Sequence, residues 1–248
     1  MAQANSDGGR FKPLRRHARW PRVLLFVLVA SGTAGLFRQG LVAPIFNPLP
    51  LIDLAQPAQR LIDWRLASIK NYPGVCLRTL KAPHIEAQPI PDNPLKNGCG
   101  WHNSVRLASA GGVRAGFDKL TCETAVALAL WLEHEVQPLA KEILGQQVRS
   151  IQSYGSYSCR NIIGNAAWRD VRSQHAIANA ADIGGFTLTD GRSIGVRAHW
   201  RGEGPEGRFL RAVHRRACVY FRVALSPDYN AAHHDHFHLD RGTLSRCK

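Results

Sequence analysis

None of the six cysteines is spaced as Cys-x-x-Cys. That absence argues against a thiolate zinc knuckle and against a dithiol redox motif. No uncharged run reaches the roughly 20 residues that a spanning helix ordinarily needs; the run from Val23 to Phe37 has 15. No stretch in the body of the chain interleaves Lys or Arg with aromatic residues, so nucleic acid is not the expected partner. No internal repeat is visible, and helical and strand patterns do not alternate in a βαβ rhythm. Solenoids and doubly wound parallel sheets are thereby set aside.

What is present is ordinary globular material, with 45% hydrophobic residues in a chain of 248. One domain of roughly 180 residues is expected after a first quarter that lacks core-like patterning. The formal charge is +14. Residues 1–22 hold six basic residues against Asp7, a net of +5, which leaves +9 for the rest. A basic surface of that size suits an anionic partner such as a wall polymer or lipid. The cysteines, Cys76, Cys99, Cys122, Cys159, Cys218 and Cys247, are even in number and spread along the chain. They fit a disulfide framework in an oxidising compartment, with fifteen pairings open.

In order, residues 1–22 read as a basic cytoplasmic arm and 23–40 as a transmembrane anchor or signal sequence. The 15-residue run is within the range of a signal-peptide core, and Arg22 and Arg38 could snorkel to lengthen an anchor. The charge bias puts the arm inside and the bulk of the chain outside. The expected location is therefore the periplasm, anchored to the inner membrane, with secretion after cleavage as the alternative. Residues 41–74 are proline-rich and read as a linker, with a short helix over Gln59 to Lys70. Cys76 and Cys99 bracket a loop without hydrophobic periodicity, where a covalent tie is expected.

Thr121 opens a helix that Pro138 ends or kinks and Gly145 caps. Val148 to Tyr154 reads as a strand, and Asp190-Gly191 as a hairpin turn with a return strand over Ile194 to Trp200. A second helix carries Phe209, Leu210, Val213 and Ala217. The chain closes on strands over Tyr220 to Leu225 and His236 to Leu239. The fold class is α+β: a small antiparallel sheet carrying a zinc site, flanked by helices, with an N-terminal membrane segment.

Two segments carry the chemistry: Ser173-Gln174-His175 through Asp182, and Asp235-His236-Phe237-His238. Histidines and carboxylates are the ligand types of a catalytic zinc, which keeps three protein ligands and one open position. His175 and Asp182 are seven apart. That is about 10.5 Å of rise on a helix, and opposite faces on a strand. The chain must turn between them if both reach one ion, and the small residues Ala178 to Ala181 permit it. His236 and His238 share a strand face, whereas Asp235 needs a strand start or local twist to face the same way. A spare carboxylate can act as general base. A set of His175, His236 and His238, with Asp182 behind them, is the competing arrangement.

Ser173-x-His175-x6-Asp182 followed by Asp235-His236-x-His238 resembles the zinc peptidases of the D-alanyl-D-alanine carboxypeptidase type. More closely, Gly155-Ser156-Tyr157-Ser158-Cys159-Arg160, Ala181-Asp182-Ile183 and the run from Tyr229 to Asp240 resemble the bacterial extensin-like C-terminal domain family, over about residues 75–248. No Ser-Pro repeats of the plant extensin kind occur. The resemblance implies Zn²⁺ held by His175, Asp182 and His238. It also implies Asp235 as the base, Arg160 as substrate and transition-state anchor, Ser173 as a supporting hydrogen-bond donor, and His236 either behind the ligands or facing the substrate. Ala178 stands where the carboxypeptidases commonly carry glycine. The expected function is a zinc-dependent hydrolase acting on peptide amide bonds of peptidoglycan. The alternative is a non-catalytic wall-binding or scaffolding module with a structural metal.

Overall fold

The computed structural model describes residues 20–248, so the basic arm lies outside the described residues up to position 19. The chain divides into two units, Met1–Gly35 and Leu36–Lys248. The described part of the first lies within apolar helix α1 (Trp20–Arg38), none of whose residues is buried. It starts three residues before the uncharged run, with Pro21 in the first turn, where a missing N–H does no harm. Its 19 residues span roughly 28 Å, and by length and composition they suffice for a signal anchor or signal peptide.

The second unit opens with α2 (Ile62–Ala67) and α3 (Pro73–Thr79). Residues 41–74, expected as a linker, contribute Ile52, Leu54, Ile62, Leu66 and Ile69 to the core. Arg65 fastens this stretch by donating to the carbonyls of Pro50 and Leu51. The prolines had suggested an irregular tether, but the apolar residues between them carry the packing.

The strands are β1 (Ile85–Pro89), β2 (Asn93–Lys96), β3 (Cys99–Trp101), β4 (Ser104–Ala110), β5 (Val113–Thr121), β6 (Val148–Gly155), β7 (Ala180–Leu188), β8 (Ser193–Gly195), β9 (Val223–Leu225), β10 (Phe237–Asp240) and β11 (Arg246–Cys247). The sheet corrects the expectation of a small antiparallel one. It has nine strands in the order β1-β4-β5-β6-β7-β10-β9-β11, with β8 on β7. The β5/β6 and β9/β11 pairs are parallel. The extra strands come from β4 and β5, where Val105, Leu107, Val113, Ala115 and Phe117 are buried and the residues between them mostly exposed, the period-two pattern of a half-buried sheet. The hairpin return is also shorter than expected. After Gly191, at φ 89°, β8 lasts three residues and gives way to α6 (Val196–His199).

Helices α4 (Cys122–Trp131), α5 (Gln137–Leu144) and α7 (Pro205–Tyr220) build the core with the sheet. Between α4 and α5, Leu132–Val136 forms a π-turn. That widened turn absorbs the step before Pro138, so the helix continues instead of ending. Gly145 caps α5 in the left-handed conformation, φ 68°. On β7 and β10 the residues Ala181, Ile183, Phe237 and Leu239 join this core. Their neighbours Asp182, His238 and Asp240 therefore face the opposite side.

Three disulfides join Cys76 to Cys122, Cys99 to Cys159 and Cys218 to Cys247. The expected tie between Cys76 and Cys99 does not form; each reaches a later element. Cys99–Cys159 pins β3 to the loop that carries Arg160, across a separation of 60 residues. In the chain-entropy account, removing it as a Cys→Ser pair costs about 4 kcal/mol. The expected result by differential scanning calorimetry is a melting temperature lower by on the order of 10 °C.

Candidate metal centre

His175 lies in the single 3-10 turn Gln174–Ile177, which Ser173 caps by accepting a bond from the His175 N–H. Ala178 follows in the left-handed conformation, φ 54°, the region in which glycine is least strained. This is the turn that the seven-residue spacing demanded. Asn179 clamps it. Its Oδ1 accepts from Thr121 and Thr124 at 2.7 and 2.8 Å, and its Nδ2 donates to Gln174 at 2.8 Å. The chain then enters β7, which carries Asp182.

Asp182 and His238 are direct cross-strand partners in the β7/β10 ladder. One nitrogen from each imidazole and both oxygens of the carboxylate meet there. His175 Nε2 is 3.0 Å from Asp182 Oδ2 and 3.1 Å from His238 Nδ1, and His238 Nδ1 is 3.0 Å from Asp182 Oδ1. All three residues are buried. A tetrahedral zinc sets its ligand atoms about 3.3 Å apart. The cluster needs to open by only a few tenths of an ångström to accept one, so this donor set fits the ion in both chemistry and size.

The remaining nitrogens of the two imidazoles are engaged. His175 Nδ1 is 3.2 Å from the Ser156 carbonyl, and His238 Nε2 is 2.9 Å from Asp240 Oδ2. Outer partners of this kind set ring orientation and raise ligand basicity. Burial alone would raise the Asp182 carboxyl, but hydrogen bonds and positive charge from His175 and His238 overcome it and hold the group well below the carboxylate range. Burial opposes charge on His238 too, yet Asp182 and Asp240 outweigh it and push its pKa up to about 9. A bound cation takes the place of that proton.

The cluster opens into a cleft of about 520 Å³, whose lining includes Arg160, Ser173, Trp168, His233, His236 and Leu244. Arg160 donates to the Asn161 carbonyl at 3.4 Å and forms no ion pair with a carboxylate among the described residues. Its charge is free for an anionic ligand. His236 stands just before β10 and puts Nε2 3.7 Å from Asp182 Oδ1. Asp235 bonds His236 Nδ1 at 2.8 Å and lies 3.7 Å from His234 Nε2. It thus meets the centre through His236. Burial lifts the Asp235 carboxyl, but the His236 bond and the His234 and His236 charges together outweigh it and hold the group below the usual carboxylate value. His233 is neutral at pH 7: burial first, then the charges of His238 and His236, bring its pKa down to about 4. A Cβ at Gly184 would run into the Tyr154 ring, which lies 5.9 Å from the His236 ring.

Asp240 is the functional residue that the spacing left undecided. Two positions from His238 on one strand, it had to share that residue's face. Asp240→Asn replaces the carboxylate on His238 Nε2 with an amide. The expected result is a 10–100-fold loss of zinc affinity in chelator competition, with the fold intact by circular dichroism.

The described domain is α+β, is tied by three disulfides, and sets under an open cleft a buried His–Asp–His cluster that could hold a metal ion. Residues 74–248 match the family model described as Extensin-like protein C-terminus, and the chain belongs to that family. No curated protein and no solved structure matches the chain significantly.

Proposed function

We propose that the protein is an exported zinc-dependent hydrolase that cleaves amide bonds in the peptide part of peptidoglycan. It would be akin in chemistry to the D-alanyl-D-alanine carboxypeptidase-type zinc peptidases. The observation that carries this reading is the triad His175, Asp182 and His238 with pairwise separations of 3.0–3.1 Å beneath an open cleft. Structural zinc sites are closed by four protein ligands, whereas catalytic ones use three and leave a position open. Three ligands and a cleft favour the hydrolase over the scaffold with a structural metal.

Zinc bound there supplies Lewis acidity and a water of pKa about 7. Asp235 is the general base of this reading, and His236 links its carboxylate to the cluster. Arg160 holds the anionic part of the substrate and the charge that grows on the carbonyl oxygen. Ser173 keeps the His175 backbone in place with its Oγ, and its hydroxyl hydrogen remains available to the cleft. The apolar side of the cleft, including Trp168 and Leu244, excludes water from the peptide. Export accords with the three disulfides and with helix α1, which would hold the domain at the inner membrane on the periplasmic side.

The test is elemental analysis of the purified chain, coupled to a muropeptide digest that detects released amines. One zinc per chain and chelator-sensitive amine release are expected. Stoichiometric zinc without release from any wall fragment would move the reading to the scaffold.

A further inference from the structure

The buried charges behind β10 depend on a residue outside the family-matched region. Arg222 and Arg241 have side chains 2% and 1% exposed. Arg241 bonds Glu123 at 2.7 Å and Asp63 at 2.7 Å. Arg222 bonds Asp63 through Nε at 2.7 Å. Two guanidiniums are thus balanced by two carboxylates, and Asp63 is the one they share. Asp63 lies in α2, ahead of residue 74, where the family match begins. Burial raises its carboxyl, but Arg222 and Arg241 together bring it below the usual range, so it stays ionised.

A chain of bonds runs from this group to the metal centre. Arg222 donates from Nη1 to the Gly242 carbonyl at 3.1 Å and from its backbone N–H to the Asp240 carbonyl at 3.0 Å. The Gly242 N–H in turn donates to Asp240 Oδ1 at 2.8 Å. Asp240 Oδ2 holds His238 Nε2 at 2.9 Å. Arg222 therefore grips both ends of the turn that aims Asp240 at the ligand. Without Asp63, Arg222 keeps only carbonyl acceptors, and the next carboxylate along these bonds is Asp240 itself.

We propose that Asp63 is a positioning residue for the metal ligand His238, acting through Arg222 and the Asp240–Gly242 turn; the assignment rests on the cluster being a metal site. It makes the segment ahead of the family region a working part of the centre. The experiment uses the full chain in detergent. Zinc affinity is measured by chelator competition well below each melting temperature, and metal-free melting temperature is measured on the same samples. Asp63→Asn is expected to weaken zinc binding by about 10-fold or more, the scale of a lost outer partner, and Asp63→Glu to restore part of it. Asp63→Asn combined with Arg222→Gln rebalances the charge. It should recover melting temperature but not affinity, because the Gly242 carbonyl has lost its guanidinium donor. Should Asp63→Asn fail to fold, this balanced pair carries the test. Wild-type affinity in Asp63→Asn, or affinity that returns together with stability in the pair, would overturn the assignment alone. A wild-type chain that takes up no zinc would overturn the metal reading itself.

Discussion

Replacing His175 with alanine is expected to take zinc stoichiometry from one per chain to none after dialysis, and to remove amine release with it. The imidazole is almost fully buried, and its Nε2 stands 3.0 Å from one Asp182 oxygen and 3.1 Å from His238 Nδ1. The loss should exceed the 10–100-fold attached to an outer partner. A second readout separates binding from folding. Zinc at 100 times its dissociation constant stabilises a folded site by about 2.7 kcal/mol, a shift of several degrees for a domain of this size. The wild-type chain should show that shift and the variant should show none. A variant that still holds one zinc at wild-type affinity sinks the ligand assignment.

Asp235→Asn should behave in the opposite way. The metal stays, because Asp235 is not one of the three donors, and turnover falls by about 10²–10⁴-fold, the usual worth of a general base. The amide can still accept from His236 Nδ1, where the carboxylate now sits at 2.8 Å, so the imidazole keeps its orientation while the base is lost. The check is amine release from purified wall fragments at matched zinc content. Full hydrolysis by this variant removes Asp235 from the base role and leaves His236, which lines the cleft directly, as the group to examine.

The centre was more legible than the sheet that bears it. His175, Asp182, Asp235, His236 and His238 stand out because metal-ligand residue types recur at spacings that must turn or share a strand face, whereas Ser173 came from the family resemblance. The spacing could not choose Asp182 over His236 as third donor. That choice depends on β7 lying beside β10 in register, a contact between positions 56 residues apart. Asp240 was readable from period two, yet its role needed the ring nitrogen it faces. The breadth of the sheet was missed although β4 and β5 alternate cleanly over much of their length. Bulges at Val105/Leu107 and Leu107/Ser109 interrupt their pairing, and the Gly111-Gly112 turn that joins them, both at positive φ, was a hairpin signal not read. The proline-rich stretch misled for a different reason. Proline removes a ladder donor, but it does not forbid burial, and Ile52, Leu54, Ile62, Leu66 and Ile69 are core residues. Asp63, Arg222 and Arg241 gave no signal at all, since isolated charges look alike until their burial is known.

The direct pairing of Asp182 with His238 has one more consequence. A slip of one residue between β7 and β10 would send the imidazole into the helical core and a phenylalanine or leucine to the cleft. Only the native alignment offers an ion two donors from neighbouring strands. A cation bound between them would bind this alignment and not the slipped one, and so by mass action would favour the native threading of the two strands.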